Sequence, residues 1–213
     1  MLSVDSYSRR VELAVWMIVL AIFNAPLFFG GSTAAFALAP DRVAAGEWWR
    51  LLTYPIVHVS WYHLLLDGAA FLLLWKNLDG RLPSRLGVLA ASGAGSALAA
   101  ALGSHAFWSC GLCGLSGVAH GLMAKQGLDL WSGGRTAQDR RVGFALLVGV
   151  VAKCAWEALV GRALFGHWHF GLLGTPIVIC HAGGVVGAAA FHFAARTFCL
   201  PPRMGAVTGC SLP

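Results

Sequence analysis

The sequence predicts an all-α membrane protein, a bundle of six transmembrane helices with both termini in the cytoplasm, and three observations predict it. First, 58% of the 213 residues are hydrophobic and 11% are charged, with a mean hydropathy of +0.70. That leaves too little polar surface to cover a soluble globule of this size. Second, the chain divides into six apolar runs, each near the ~20 residues that one helix needs to cross a bilayer. Third, the cations between the runs are unevenly shared. Arg9, Arg10, Lys76, Arg81, Arg85, Arg135, Arg140, Arg141, Arg196 and Arg203 fall on the side of the termini, against Arg42, Arg50 and Arg162 on the other. The positive-inside rule then puts the termini in the cytoplasm. The net charge of +6 forms no basic stripe, so it marks topology and excludes a nucleic-acid partner.

The first run, Val11 to Phe29, follows Arg9 and Arg10. A cleaved signal peptide competes for it, because Ala37-Leu38-Ala39 has the small-x-small form of a cleavage site. The run is longer than an ordinary signal core and the site lies well beyond it, which favours a retained span. Residues 31 to 50 connect it to the second run, and Glu47-Trp48-Trp49-Arg50 suits the headgroup level. The second run extends from about Leu51 to Trp75, and the third from Leu86 to Leu102. The third is rich in Gly, Ala and Ser, which let helices approach closely in lipid, and so it is expected at the centre. Gly103 to Cys110 is expected as a loop. The remaining spans are expected near Leu115 to Trp131, Val142 to Val160 and Thr175 to Ala195. The domain plan is therefore a cytoplasmic N-terminus at 1–10, a membrane domain at 11–196 and a disordered tail at 197–213, where Pro201, Pro202 and Gly205 discourage structure. No internal repeat favours a transporter.

Polar residues inside apolar runs are costly and point to function. With the topology above, spans two, four and six all enter from the outer face. His63, Ser116 and His181 then reach similar depth, with His181 expected about two turns into span six. A serine hydroxyl is a weak nucleophile until an imidazole takes its proton. His181 is the candidate base. Gly117, Gly184 and Ala188 would let spans four and six close to within hydrogen-bond distance, roughly 2.6 to 3.2 Å. Acyl transfer also develops an oxyanion. The free N–H groups at the start of span four serve it, with His63, Asp67, Gly114 and His120 as supporting residues. Taken singly, a serine in a Gly-rich segment reads as packing, and a membrane histidine as a hydrogen-bonded core residue; their convergence on three helices favours catalysis. His58, His120 and Asp67 can each be structural or functional, Lys153 and Glu157 are expected to pair one turn apart, and Lys125 to snorkel to the cytoplasmic interface. Cys110 and Cys113 can form a local disulfide or remain free. Zinc competes for His58, His63, His105, His167, His169 and His181 on the outer face. No HExxH or CxxC…CxxC pattern accompanies them, so neither metal nor other cofactor is expected.

Glu47-Trp48-Trp49-Arg50, His58…His63…Asp67, Gly114-Leu115-Ser116-Gly117 and His181…Gly184…Ala188 occur in this order on spans two, four and six. Together they resemble a rhomboid intramembrane serine protease. The resemblance implies a helical bundle around a water-filled cavity that opens outward, and a Ser116–His181 dyad with His63 at the oxyanion site. Its substrates would be membrane-anchored proteins whose transmembrane segment enters between spans two and five and partly unwinds. Two positions depart from the family pattern. Asp67 stands where most rhomboids have Asn, so it is either protonated or turned to hold His63. His120 stands where many have Tyr packed on the base. Ser-Gly-x-x-His-Gly without an extra domain is similar to the rhombosortase branch, which implies a multi-pass protein of the bacterial inner membrane that cleaves the C-terminal sorting tails of exported proteins. The alternatives are a rhomboid protease with other membrane-anchored substrates, or an inactive rhomboid-like protein that binds clients.

Overall fold

Prolines, glycines and caps divide the apolar chain more finely than hydropathy does. A computed structural model of the chain describes residues 4–164 and 174–198. Six of its helices are long: α1 (Val4–Phe23), α4 (Trp61–Asn77), α5 (Leu82–Gly103), α7 (Ser116–Gly133), α8 (Ala137–Val160) and α9 (Ile179–Phe198). Short α2 (Pro40–Ala44), α3 (Arg50–Thr53) and α6 (His105–Cys110) lie in the connections. Among the described residues there is no strand, only an isolated bridge between Leu38 and Leu112. His167, His169, Arg203 and the tail beyond Phe198 lie outside the described residues.

Several expected boundaries move, each for a local reason. The run from Val11 ends as a helix at Phe23 and continues as a 3-10 turn over Ala25–Phe29. Pro26 starts that turn, and Asn24 leaves the helical register to bond Leu20 O at 2.8 Å and Ile56 O at 2.7 Å. The second run is not one helix. Pro55 ends the α3 segment in a 3-10 turn, Ser60 caps α4 by accepting from His63 N–H at 3.1 Å, and the two pieces meet at 92°. The stretch expected as a loop before Cys110 holds α6. The start of α8 is set by a capping box, in which Thr136 Oγ1 accepts from Asp139 N–H and Asp139 accepts from Thr136 N–H.

Several polar groups are buried beside the apolar core, while many large apolar side chains face outward. Asn24, Ser92, Ser96 and Glu157 are buried, whereas Leu102 and Leu159 are 81% and 88% exposed. Such a surface is stable against lipid and a liability in water. By length and apolarity Leu82–Gly103 and Ala137–Val160 qualify as spans, and the bent Arg50–Asn77 unit makes a third if it is one crossing. The chain is an integral membrane protein of packed helices.

Small residues decide where the helices dock. The α5–α9, α7–α9 and α7–α8 pairs pack most extensively. A Cβ on Gly184 would stand 1.9 Å from Gly117 O, and one on Gly95 would stand 2.2 Å from Gly183 O, so α9 touches both α7 and α5 backbone to backbone. Ala188 is fully buried in the core that α9 shares with Phe71, Trp75, Val118 and Leu122. Two of the arginines counted as topology signals are buried. Arg85 pairs with Glu12, which also accepts from Trp75 Nε1 at 3.1 Å. Arg50 binds Glu47 and the carbonyls of Ala34 and Ala37, each at 2.7 Å, which ties down the first connection. Lys125 pairs with Asp129 one turn on.

Candidate active site

A short extended strap delivers Ser116 to the first position of α7. Leu112 exchanges two 2.9 Å backbone bonds with Leu38, and Gly114 N–H donates to Tyr54 O at 3.0 Å. Gly114 has φ +105°, and a Cβ there would come within 2.9 Å of both the His63 ring and Asp67 Oδ2, so only glycine suits the position. The helix ladder opens with Ala119 N–H donating to Leu115 O at 2.8 Å. The N–H groups of Ser116, Gly117 and Val118 therefore have no acceptor within the helix.

His63 and His181 sit in the first turns of α4 and α9, as Ser116 does in α7. His181 lies in the first turn because α9 starts at Ile179, four residues later than hydropathy indicates. All three line one cavity of ≈ 290 Å³, together with His120, Lys153 and Glu157. The Ser116 hydroxyl is within interaction range of Cys180, the residue before His181. Among the described residues it makes no hydrogen bond to His181.

The polar partners fix the proton positions. Carboxylates and carbonyls only accept and an ammonium only donates, so each neighbour assigns a ring nitrogen. His181 Nδ1 lies 2.7 Å from Glu157 Oε2 and therefore carries the proton, leaving Nε2 as the basic nitrogen. His120 stacks on His181 with ring centroids 4.1 Å apart and planes at 9°. Its Nδ1–H donates to Ser116 O at 2.6 Å, and its Nε2 accepts from Lys153 Nζ at 2.8 Å. Lys153 also donates to Glu157 Oε1 at 2.6 Å, where the Leu164 N–H adds a second bond at 2.8 Å. Lys153 and Glu157 thus pair as expected from their spacing. The further bond from Glu157 to His181 is the feature that sequence reasoning missed. The only signal for it was a carboxylate inside an apolar run, and the lysine one turn earlier supplied a sufficient partner.

On the other side, His63 Nε2 stands 3.1 Å from Asp67 Oδ2, one turn on. His58 is fully buried; its N–H donates to Asn24 Oδ1 at 2.9 Å and its carbonyl accepts from Thr33 Oγ1 at 2.7 Å. Cys110 and Cys113 are free thiols. His120, Glu157 and His181 bring metal-ligand atoms within 4.8 Å of one another. The Lys153 ammonium already occupies two of those donors, so a cation there would have to displace it.

The Rhomboid domain family matches residues 45–198, which spans every residue of this cavity. The chain is a member of the rhomboid family. No curated protein matches it. For this rhomboid, membership and the apolar helices together support an intramembrane protease-type function acting on membrane proteins in the bilayer.

Proposed function

We propose that this rhomboid is an intramembrane serine endopeptidase in which Ser116 is the nucleophile and His181 the general base. The observation that carries the reading is that Ser116 and His181 open two backbone-contacting helices onto one polar cavity, with His181 Nδ1 bonded to Glu157 and Nε2 left to face the serine proton. In this reading the Ser116 hydroxyl must turn toward that nitrogen, by moving between staggered χ1 wells. The serine oxygen then bonds to the scissile carbonyl carbon as its proton passes to His181 Nε2. The carbonyl π pair moves onto oxygen, facing the free N–H groups of Ser116 to Val118. Collapse of this intermediate breaks the C–N bond, and Nε2 returns the proton to the leaving amine. Water repeats the sequence on the acyl-serine, with His181 again accepting and returning one proton. His63, with Asp67 one turn on, borders the oxyanion side.

Six spans with cytoplasmic termini fit the six long helices and the asymmetric arginines. The Ser116-Gly-x-x-His120-Gly pattern favours the rhombosortase branch. Its substrates would be C-terminal transmembrane sorting tails of exported proteins, and its place the bacterial inner membrane. The test is cleavage of a reporter that carries such a tail, in cells expressing each variant at the wild-type level. Ser116→Ala and His181→Ala should each lower cleavage by at least about 10⁴-fold, and retained cleavage in either rejects the assignment. An inactive client-binding protein is the competing reading, favoured by the acid at position 67. Such a protein would leave Ser116 unreactive to fluorophosphonates.

A further inference from the structure

The base has a partner on a third helix. Glu157 is fully buried on α8, 24 residues before His181, and its Oε2 lies 2.7 Å from His181 Nδ1. A buried carboxylate is tolerated only where its oxygens are satisfied, and here each oxygen has a separate duty. Oε1 takes two donors, Lys153 Nζ at 2.6 Å and Leu164 N–H at 2.8 Å, and Oε2 is left for the imidazole. We infer that Glu157 is a positioning residue that completes a Ser116–His181–Glu157 relay, with Lys153 and the Leu164 N–H holding its carboxylate in register. The inference rests on the reading of Ser116 and His181 as nucleophile and base.

Its chemistry is specific. Acceptance of the Nδ1 proton locks the tautomer in which Nε2 is free to take the serine proton. Once Nε2 is protonated the ring is a cation, and the buried Glu157 carboxylate stabilises it at close range. The proton on Nδ1 stays on Nδ1 throughout. The Lys153 side chain also donates to His120, the ring stacked on His181, so a single ammonium restrains both the carboxylate and the stacking partner.

Glutamine at this position is a sharp probe, because the two donors facing Oε1 select which end of the amide points at them. Both demand an acceptor, so the amide oxygen sits there and the NH₂ faces His181. Nδ1 must then accept, Nε2 carries the proton, and the base is in the wrong tautomer. Glu157→Asp keeps the charge and lacks only reach. The readout is the second-order rate of Ser116 capture by a fluorophosphonate, on the full chain in detergent micelles, for the wild type, Ser116→Ala, Glu157→Gln and Glu157→Asp. Capture of the wild type but not of Ser116→Ala establishes that the probe reports this site, and failure there sinks the nucleophile assignment itself. With that secured, Glu157→Gln is expected to be slower by about 10² to 10⁴-fold, with Glu157→Asp between it and the wild type. Capture of Glu157→Gln within about threefold of wild type overturns the role of Glu157 while leaving the nucleophile intact. A ¹⁵N spectrum of His181 in the wild-type protein needs no variant to fold. Protonated Nδ1 with bare Nε2 is expected, and the opposite tautomer overturns the inference.

Discussion

Two carboxylate–imidazole pairs line the cavity beside Ser116, and they are built in opposite ways. His63 and Asp67 are one turn apart on α4, so helix geometry alone brings them to 3.1 Å. The contact is close but not well aligned, and Asp67 Oδ2 has no aligned hydrogen bond. His181 and Glu157 lie on different helices and meet at 2.7 Å with the carboxylate further held by Lys153 and Leu164. A pair that repeats along one helix costs the fold nothing to form. A pair across two helices exists only because small residues let α7, α8 and α9 close around it, and that is what the proposed base has and the His63 imidazole lacks.

The comparison breaks most visibly if the two acids are replaced by their amides. Glu157→Gln is expected to slow Ser116 capture by about 10² to 10⁴-fold. Asp67→Asn is expected to change it by less than about tenfold, because nothing forces the Asn amide to turn its NH₂ toward His63 and its oxygen can still accept. Equal effects in the same capture assay would remove the distinction drawn here. Gly184→Ala tests the packing that brings the cross-helix pair together. Its Cβ would meet Gly117 O at 1.9 Å, so α7 and α9 must part. A shift near 1 Å is expected to cost about 10² in rate and about 1–3 kcal/mol in stability, read by capture kinetics and by unfolding in mixed micelles. Lys153→Met removes one of the two donors on Glu157 Oε1 and leaves Leu164, so a smaller loss of about tenfold is expected. Arg85→Met lies at the far end of the bundle from the cavity's polar cluster. It strands Glu12 without its cation and is expected to lower stability by about 3–5 kcal/mol, with the capture rate per folded molecule unchanged.

The same contrast explains what could be read from the chain. Ser116 at a helix start, His63 with Asp67 one turn on, and the Gly117 and Gly184 contacts all follow from local spacing and small-residue rules. So does the membrane class, because composition alone demands it. The bond from Glu157 to His181 was hidden because it depends on how α8 lies against α9, and Lys153 at the same spacing gave the carboxylate an adequate local explanation. The bend before α4 was hidden in an apolar run that Pro55 and Ser60 divide without a change in hydropathy. The partners of Arg50 and Arg85 were hidden for a related reason. A sequence shows that a cation is near a span end, whereas the buried carbonyls and the acid that bind it come from residues far away.

The central claim is that a hydroxyl on α7 and an imidazole on α9 act as one unit, and peptide mapping of the fluorophosphonate adduct tests it most directly. The account predicts a single phosphonylated residue, Ser116, in the wild-type chain and none in His181→Ala. A phosphonyl group on another residue, or Ser116 modified equally fast without His181, would contradict it.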